Sequence, residues 1–171
     1  MPSPLSHAGF ETLLPMTLAG LSSRTDNVAE QNPVKAKIGP AIQRYFQDNI
    51  PQKLENRVAP GVTYSVFTDY ESDFTGAYTH LFGEAVKGSK SQAEGLTVHH
   101  IPQQTCAVFD VGPGPMPDII IQAWQQIWAM EKEGRFPGQR SYIADFGRHD
   151  AAAADPQNAR FKIYIGVQNH N

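Results

Sequence analysis

The 171-residue chain has a single cysteine, Cys106, which excludes an internal disulfide framework and any zinc site built on several thiolates. It also lacks a block of Lys and Arg. Its 14 basic and 17 acidic residues leave a formal charge of −3, so nothing supplies the phosphate-neutralising stripe that nucleic-acid binding requires, and direct DNA or RNA binding is not expected. No apolar run approaches the ~20 residues of a membrane-spanning helix. Met1 to Phe10 carries neither the basic start nor the apolar centre of a secretion signal, so the expected compartment is the cytoplasm, with no membrane partner. Charged residues are also scarce, at 18%, whereas hydrophobic residues reach 40% and include nine Phe, six Tyr and two Trp. That balance is the reverse of a disordered chain. The length suits one domain over 1–171, with about 70% of the unfolded surface buried on folding.

Two prolines and weak periodicity in MPSPLSHAGFET predict a loose arm ahead of a first strand near Met16 to Ser22. Asn32-Pro33 offers an N-cap and N1 pair, and Ile38, Ile42, Tyr45 and Phe46 follow helical spacing up to Pro51. Gly39-Pro40 inside that pattern favours a later start, with Pro40 at N1. Val62 to Tyr70 and Ala77 to Val86, parted by ESDFTG, read as a hairpin. A polar linker, Val86 to Gly95, follows. Beyond it, Leu96 to Val111 reads as strand interrupted at Pro102, and GPGP at 112–115 breaks the chain before a helix opening at Met116-Pro117-Asp118. Ile120, Ala123, Trp124, Ile127 and Trp128 form the stripe of that helix, Glu131 and Glu133 are expected to face water, and Gly134 suits C′. Ser141 to His149 and Ala159 to Gln168 complete the pattern as strands.

Strand, helix, strand, strand therefore occurs twice, over about 15–88 and 95–169. Two such βαββ units can build an α+β fold: one curved antiparallel sheet, both main helices on one face, and a cleft on the pseudo-twofold axis. The ordered segments YSVFTDYESD (64–73), GAYTHLFGEAV (76–86), GLTVHHIP (95–102), AVFDVGPGP (107–115), WQQIW (124–128), ADFGRHD (144–150) and IYIGV (163–167) add a family likeness. With them the chain resembles the GyrI-like effector-binding domains of AraC- and MerR-type regulators, above all their stand-alone relatives among integron-cassette proteins. The resemblance implies this tandem fold and a central aromatic pocket for amphipathic, often cationic, drug-like molecules, without catalysis or cofactor. Where that family carries Asp-Phe-Glu-x-Tyr, with the Glu as buried counter-ion, this chain has Asp145-Phe146-Gly147-Arg148-His149. A buried unpaired cation is costly, so Asp145, on the same strand face as Gly147 and His149, is the best substitute anchor.

The expected ligand-binding residues are Trp124, Trp128, Tyr142, Phe146, Phe109 and Tyr78 as walls, Asp145 as polar anchor, and His149 as a pH-sensitive neighbour. Tyr64, Phe67, Tyr70 and Tyr164 add to an aromatic surplus larger than a helix-on-sheet core needs. His99 and His100 point to opposite faces of a strand and make a poor chelate, so no metal site is expected. Cys106 reads as a small buried hydrophobe. The alternatives are a hydrolase of reactive ring-strained compounds, which the missing Glu disfavours, and a protein-interaction module working on DNA gyrase or on a regulator in trans.

Overall fold

The computed structural model describes residues 4–88 and 91–168. Residues 89 and 90 of the expected linker, residue 169 of the expected second repeat and the first three residues of the expected arm lie outside these. Eight strands form one antiparallel sheet: β1 (Leu5–Leu13), β2 (Met16–Thr25), β3 (Thr63–Thr68), β4 (Tyr78–Ala85), β5 (Thr97–Ile101), β6 (Gln104–Gly114), β7 (Arg140–His149) and β8 (Ala159–Val167), in the order β1-β6-β8-β7-β3-β4-β2-β5. Helices α1 (Asn27–Glu30), α2 (Ile38–Gln47), α3 (Ile50–Lys53) and α4 (Asp118–Lys132) fill the connections.

The twofold logic is visible in that order. β2, α2, β3 and β4 give the triplet β3-β4-β2; β6, α4, β7 and β8 give β7-β8-β6; the two triplets meet where β3 pairs with β7. Both main helices lie on one face. Tyr45 and Ile50 pack with Phe82, Ala19 and Leu21 under the first helical segment, while Ile119, Ala123 and Ile127 of α4 pack on Phe109, Ile163 and Ile165. Strand alternation sends Leu18, Val66, Leu81, Val108, Phe146 and Tyr164 to the opposite face, where they make a third cluster.

The first residues are not a loose arm. Leu5 to Leu13 pair with Gln104 to Val111, and the same ladder resumes beyond Leu14-Pro15 and Pro102-Gln103, where Met16 to Gly20 pair with Thr97 to Ile101. One bent two-stranded ribbon thus ties both ends of the sheet together. β1 hid in the sequence because a register shift between His7 and Gly9, with Gly9 at φ 106°, breaks its alternation. Helix α2 begins at Ile38 rather than at Pro40. Pro40 is harmless in the first turn, where N–H groups have no partner within the helix. Asn32-Pro33 opens no helix; the earlier turn α1 is capped instead by Asp26, whose carboxylate accepts from the Ala29 N–H at 2.7 Å. α4 matches its periodicity, with Gly134 at φ 71° beyond its end.

Candidate functional site

Between α2 and α4, above the β3–β7 junction, the helical face opens into a cleft of about 950 Å³. Ile38, Ile42 and Phe46 wall it from α2, and Ile120, Ile121, Trp124, Gln125 and Trp128 from α4. One ring holds the next. Trp124 lies 4.9 Å from Phe67 with an edge contact, Phe67 lies 5.4 Å from Tyr78, and Phe74 stacks on Trp128 at 5.9 Å. The floor is Thr63, Ser65 and Phe67 of β3 with Gly147 and His149 of β7. At Gly147 the floor is bare: a Cβ there would meet His149 Nε2 first, at 3.3 Å, so nothing but that ring tip crowds the position.

A charged network borders the cleft, which Arg140 and Tyr70 themselves line. Arg140 Nη2 donates to Asp145 Oδ2 at 2.6 Å and Nη1 to Glu131 Oε2 at 3.1 Å. The Tyr70 hydroxyl donates to the same Asp145 oxygen at 2.6 Å, and the Gly166 N–H donates to Oδ1 at 2.9 Å. Asp145 is wholly buried. Burial pulls the Arg140 proton affinity down, but Asp145, Tyr70, Tyr142 and Glu131 together raise it above that of an ordinary arginine, so it is a fixed cation. Its Nε has no partner among the described residues. Burial, then the neighbouring Asp145 charge, pushes the Tyr70 hydroxyl up and keeps it protonated.

Glu30 also lines the cleft. Its carboxylate accepts from Thr25 Oγ1 at 2.6 Å and from the Lys37 and Ile38 N–H groups at 2.9 and 3.1 Å, all neutral donors, so none of them offsets its charge. Burial foremost and this charge next raise the Tyr78 hydroxyl, which donates to Asn27 Oδ1 at 2.8 Å. Beside the floor, on the same face of the sheet, His80 Nε2 is 2.6 Å from Ser65 Oγ. Desolvation lowers His80 to about 3 and His149 to about 4, so both rings are neutral at physiological pH.

Of the residues expected to bind ligand, the structure gathers Trp124, Trp128, Tyr78 and His149 around the cleft. The others differ. Phe146 faces the opposite side of the sheet and stacks on Tyr164 at 4.8 Å, because its neighbours Asp145 and Gly147 take the helical side. Phe109 is on the helical face but two strands away from β7, sealed in the core against His7 and Phe136. Tyr142, at φ 55°, turns beneath Arg140 at 4.2 Å and donates to Glu131, which therefore does not simply face water. Asp145 is on the expected face, yet Arg140 already neutralises it.

Sequence reasoning does not find Glu30, Phe74 or Arg140. Glu30 sits in a segment without periodicity, Phe74 in a turn, and Arg140 just ahead of the predicted strand. Cys106 is buried, and desolvation pushes its thiol up to about 12. Among the described residues no group of three or more His, Cys, Asp or Glu is arranged to hold a metal ion, and no helix is long and apolar enough to cross a membrane.

Known proteins share this architecture. The integron cassette protein VCH_CASS2 from the mobile metagenome of Vibrio cholerae superposes with a TM-score of 0.74 at 25% identity, covering 96% of this chain and 99% of that one. SAV2435, solved bound to tetraphenylphosphonium, superposes with a TM-score of 0.71 at 15% identity over 96% of this chain and 94% of its own. In sequence, YobU of Bacillus subtilis (strain 168), named as a transcriptional regulator, is 25% identical over 150 residues, 88% of this chain and 91% of that protein. Residues 10–167, nearly the whole of both βαββ units and the ribbon that ties them, match the Cass2 family, and the chain belongs to these integron-associated effector binding proteins.

Proposed function

We propose that the protein binds amphipathic aromatic small molecules, cations among them, in the cleft between α2 and α4 and leaves them chemically unchanged. The observation that carries this reading is the cleft itself: about 950 Å³ walled by Trp124, Trp128, Phe67, Phe74 and Tyr78. Flat aromatic walls suit stacking and cation–π contacts worth ~0.5 to 2 kcal/mol each. With Asp145 neutralised by Arg140, the charge that favours a ligand cation comes from Glu30. His80 touches Ser65, but a base held near 3 does not take a hydroxyl proton at neutral pH.

The two tryptophans both line the cleft, so their fluorescence reports its occupancy. Titration with tetraphenylphosphonium and with neutral triphenylphosphine oxide is expected to give saturable quenching at micromolar concentrations and a raised melting temperature. Trp124→Ala weakens both ligands by about tenfold, equivalent to ~1.4 kcal/mol. Glu30→Gln weakens the cation alone, by about five- to tenfold. Unchanged fluorescence and stability with both compounds would remove the proposal.

A further inference from the structure

The helix-free face of the sheet holds a second recess, of about 490 Å³. Three aromatic rings form its inner wall: Phe146 stacked on Tyr164 at 4.8 Å, and Tyr64 against Phe146 at 5.7 Å. Leu14 and Val58, 78% and 50% exposed, stand at its rim. Apolar side chains left in water around an apolar hollow add nothing to the stability of the fold, and such patches mark binding surfaces. The volume lies in the range of sites for small organic ligands. Arg148 is the single charged residue among the described residues that line it. It sits directly across from Tyr64 in the β3–β7 ladder. Its Nη1 donates to Asp150 at 3.1 Å, a half-exposed pair of the kind worth ~0 to 1 kcal/mol, and the Tyr64 hydroxyl is a second partner; a guanidinium has five N–H donors, so the fork can still take an acid group.

We propose that this recess is a second binding site, one that takes an apolar organic acid whose body lies on Tyr64, Phe146 and Tyr164 and whose carboxylate or sulfonate meets Arg148. The cleft and the recess then differ in charge preference, Glu30 in one and Arg148 in the other. They share no wall residue, because β3 and β7 send alternate side chains to opposite faces: Ser65 and Gly147 to the cleft, Tyr64 and Phe146 to the recess.

The test uses the full chain and 8-anilinonaphthalene-1-sulfonate, whose emission rises in apolar surroundings. The wild type is expected to bind it saturably. Arg148→Leu and Tyr64→Ala should each weaken it at least tenfold, Arg148→Lys should weaken it less than Arg148→Leu, and these effects should persist when tetraphenylphosphonium occupies the cleft. Circular dichroism and thermal unfolding check that each variant is folded; if Tyr64→Ala is not, the two Arg148 variants decide. Loss of binding when tetraphenylphosphonium is present, with retention in Arg148→Leu, assigns the probe to the cleft and overturns the proposal. Equal weakening by Trp124→Ala and Arg148→Leu with the cleft occupied overturns it as well, since the effect then belongs to the fold and not to a site. Absence of saturable binding to the wild type does the same.

Discussion

His80 and His149 are held neutral beside the cleft, and that fixes how stability responds to acid. Folded, they take up a proton only near 3 and 4, with desolvation as the cause, His149 being helped slightly by Asp150; unfolded, they do so near 6.5. Above about 6.5 both states are neutral and pH has no effect through them. Between about 6.5 and 4 the unfolded chain binds protons that the folded chain refuses, so stability falls as pH falls, by up to about 1.4 kcal/mol per pH unit for each histidine. Asp73 and Asp150, lowered by hydrogen bonds, lose their contribution only below about 4, outside this window. Denaturant unfolding at pH 7.5, 6 and 5 is expected to show that decline, and His149→Phe, which preserves the stack on Phe161 at 4.5 Å, should make it shallower by one histidine's share. An unchanged slope in the variant contradicts the assignment. Residue by residue, half of the site is legible in the sequence. Period-two alternation puts Asp145, Gly147 and His149 on one face and so excludes Phe146 from it, a consequence of strand geometry alone. That Arg140 folds back onto Asp145 has no such signal, because four residues, one of them a positive-φ tyrosine, separate them in a bulged part of β7.

Among the elements, β2 and β4 approach more closely than any side chain allows. Gly20 and Gly83 face each other in the ladder. A Cβ on Gly83 would stand 1.9 Å from the Ala19 carbonyl oxygen, and one on Gly20 2.0 Å from that of Phe82. Both obstacles are backbone and cannot step aside. Gly83→Ala is therefore expected to destabilise by about 2 to 3 kcal/mol, lowering the melting temperature by about 5 to 10 °C. At Gly39 in α2 an added methyl group would meet nothing within 4 Å apart from its chain neighbours, but Pro40 follows it and disfavours helical backbone at a residue with a Cβ. The helical gain of Gly39→Ala is therefore offset, and its stability is expected to stay within about 1 kcal/mol of the wild type. Thermal unfolding of the two variants measures the contrast. Helices and hairpins are readable because each has its own period: α4 shows its stripe from Ile120 to Trp128, and β8 alternates from Phe161 to Val167. The close approach of β2 and β4 has no such signature, since two glycines far apart in sequence do not reveal that they face each other.

At the scale of the whole molecule, β1 decides whether the sheet has a free end. Its ladder with β6 continues into that of β2 with β5, so the ribbon spans both βαββ units. Leu5 packs into the core beneath α4, Leu13 into the cluster on the opposite face, and His7 lies 5.3 Å from Phe109. Deleting residues 1–13 thus strips one edge of β6 and opens two cores, whereas removal of a loose arm would cost nothing. The two leucines alone account for about 3 kcal/mol of lost burial, and the melting temperature is expected to fall by about 10 °C. Because β6 carries Val108 and Cys106 on the helix-free face, the loss should reach the recess beside Phe146 before the cleft, whose walls come from α2, α4, β3 and β7. Probe binding at the recess is therefore expected to suffer more than tryptophan quenching in the cleft. If the truncated chain melts within a degree or two of the full one, the ribbon does not hold the two halves together. In that case the β3–β7 junction alone does so.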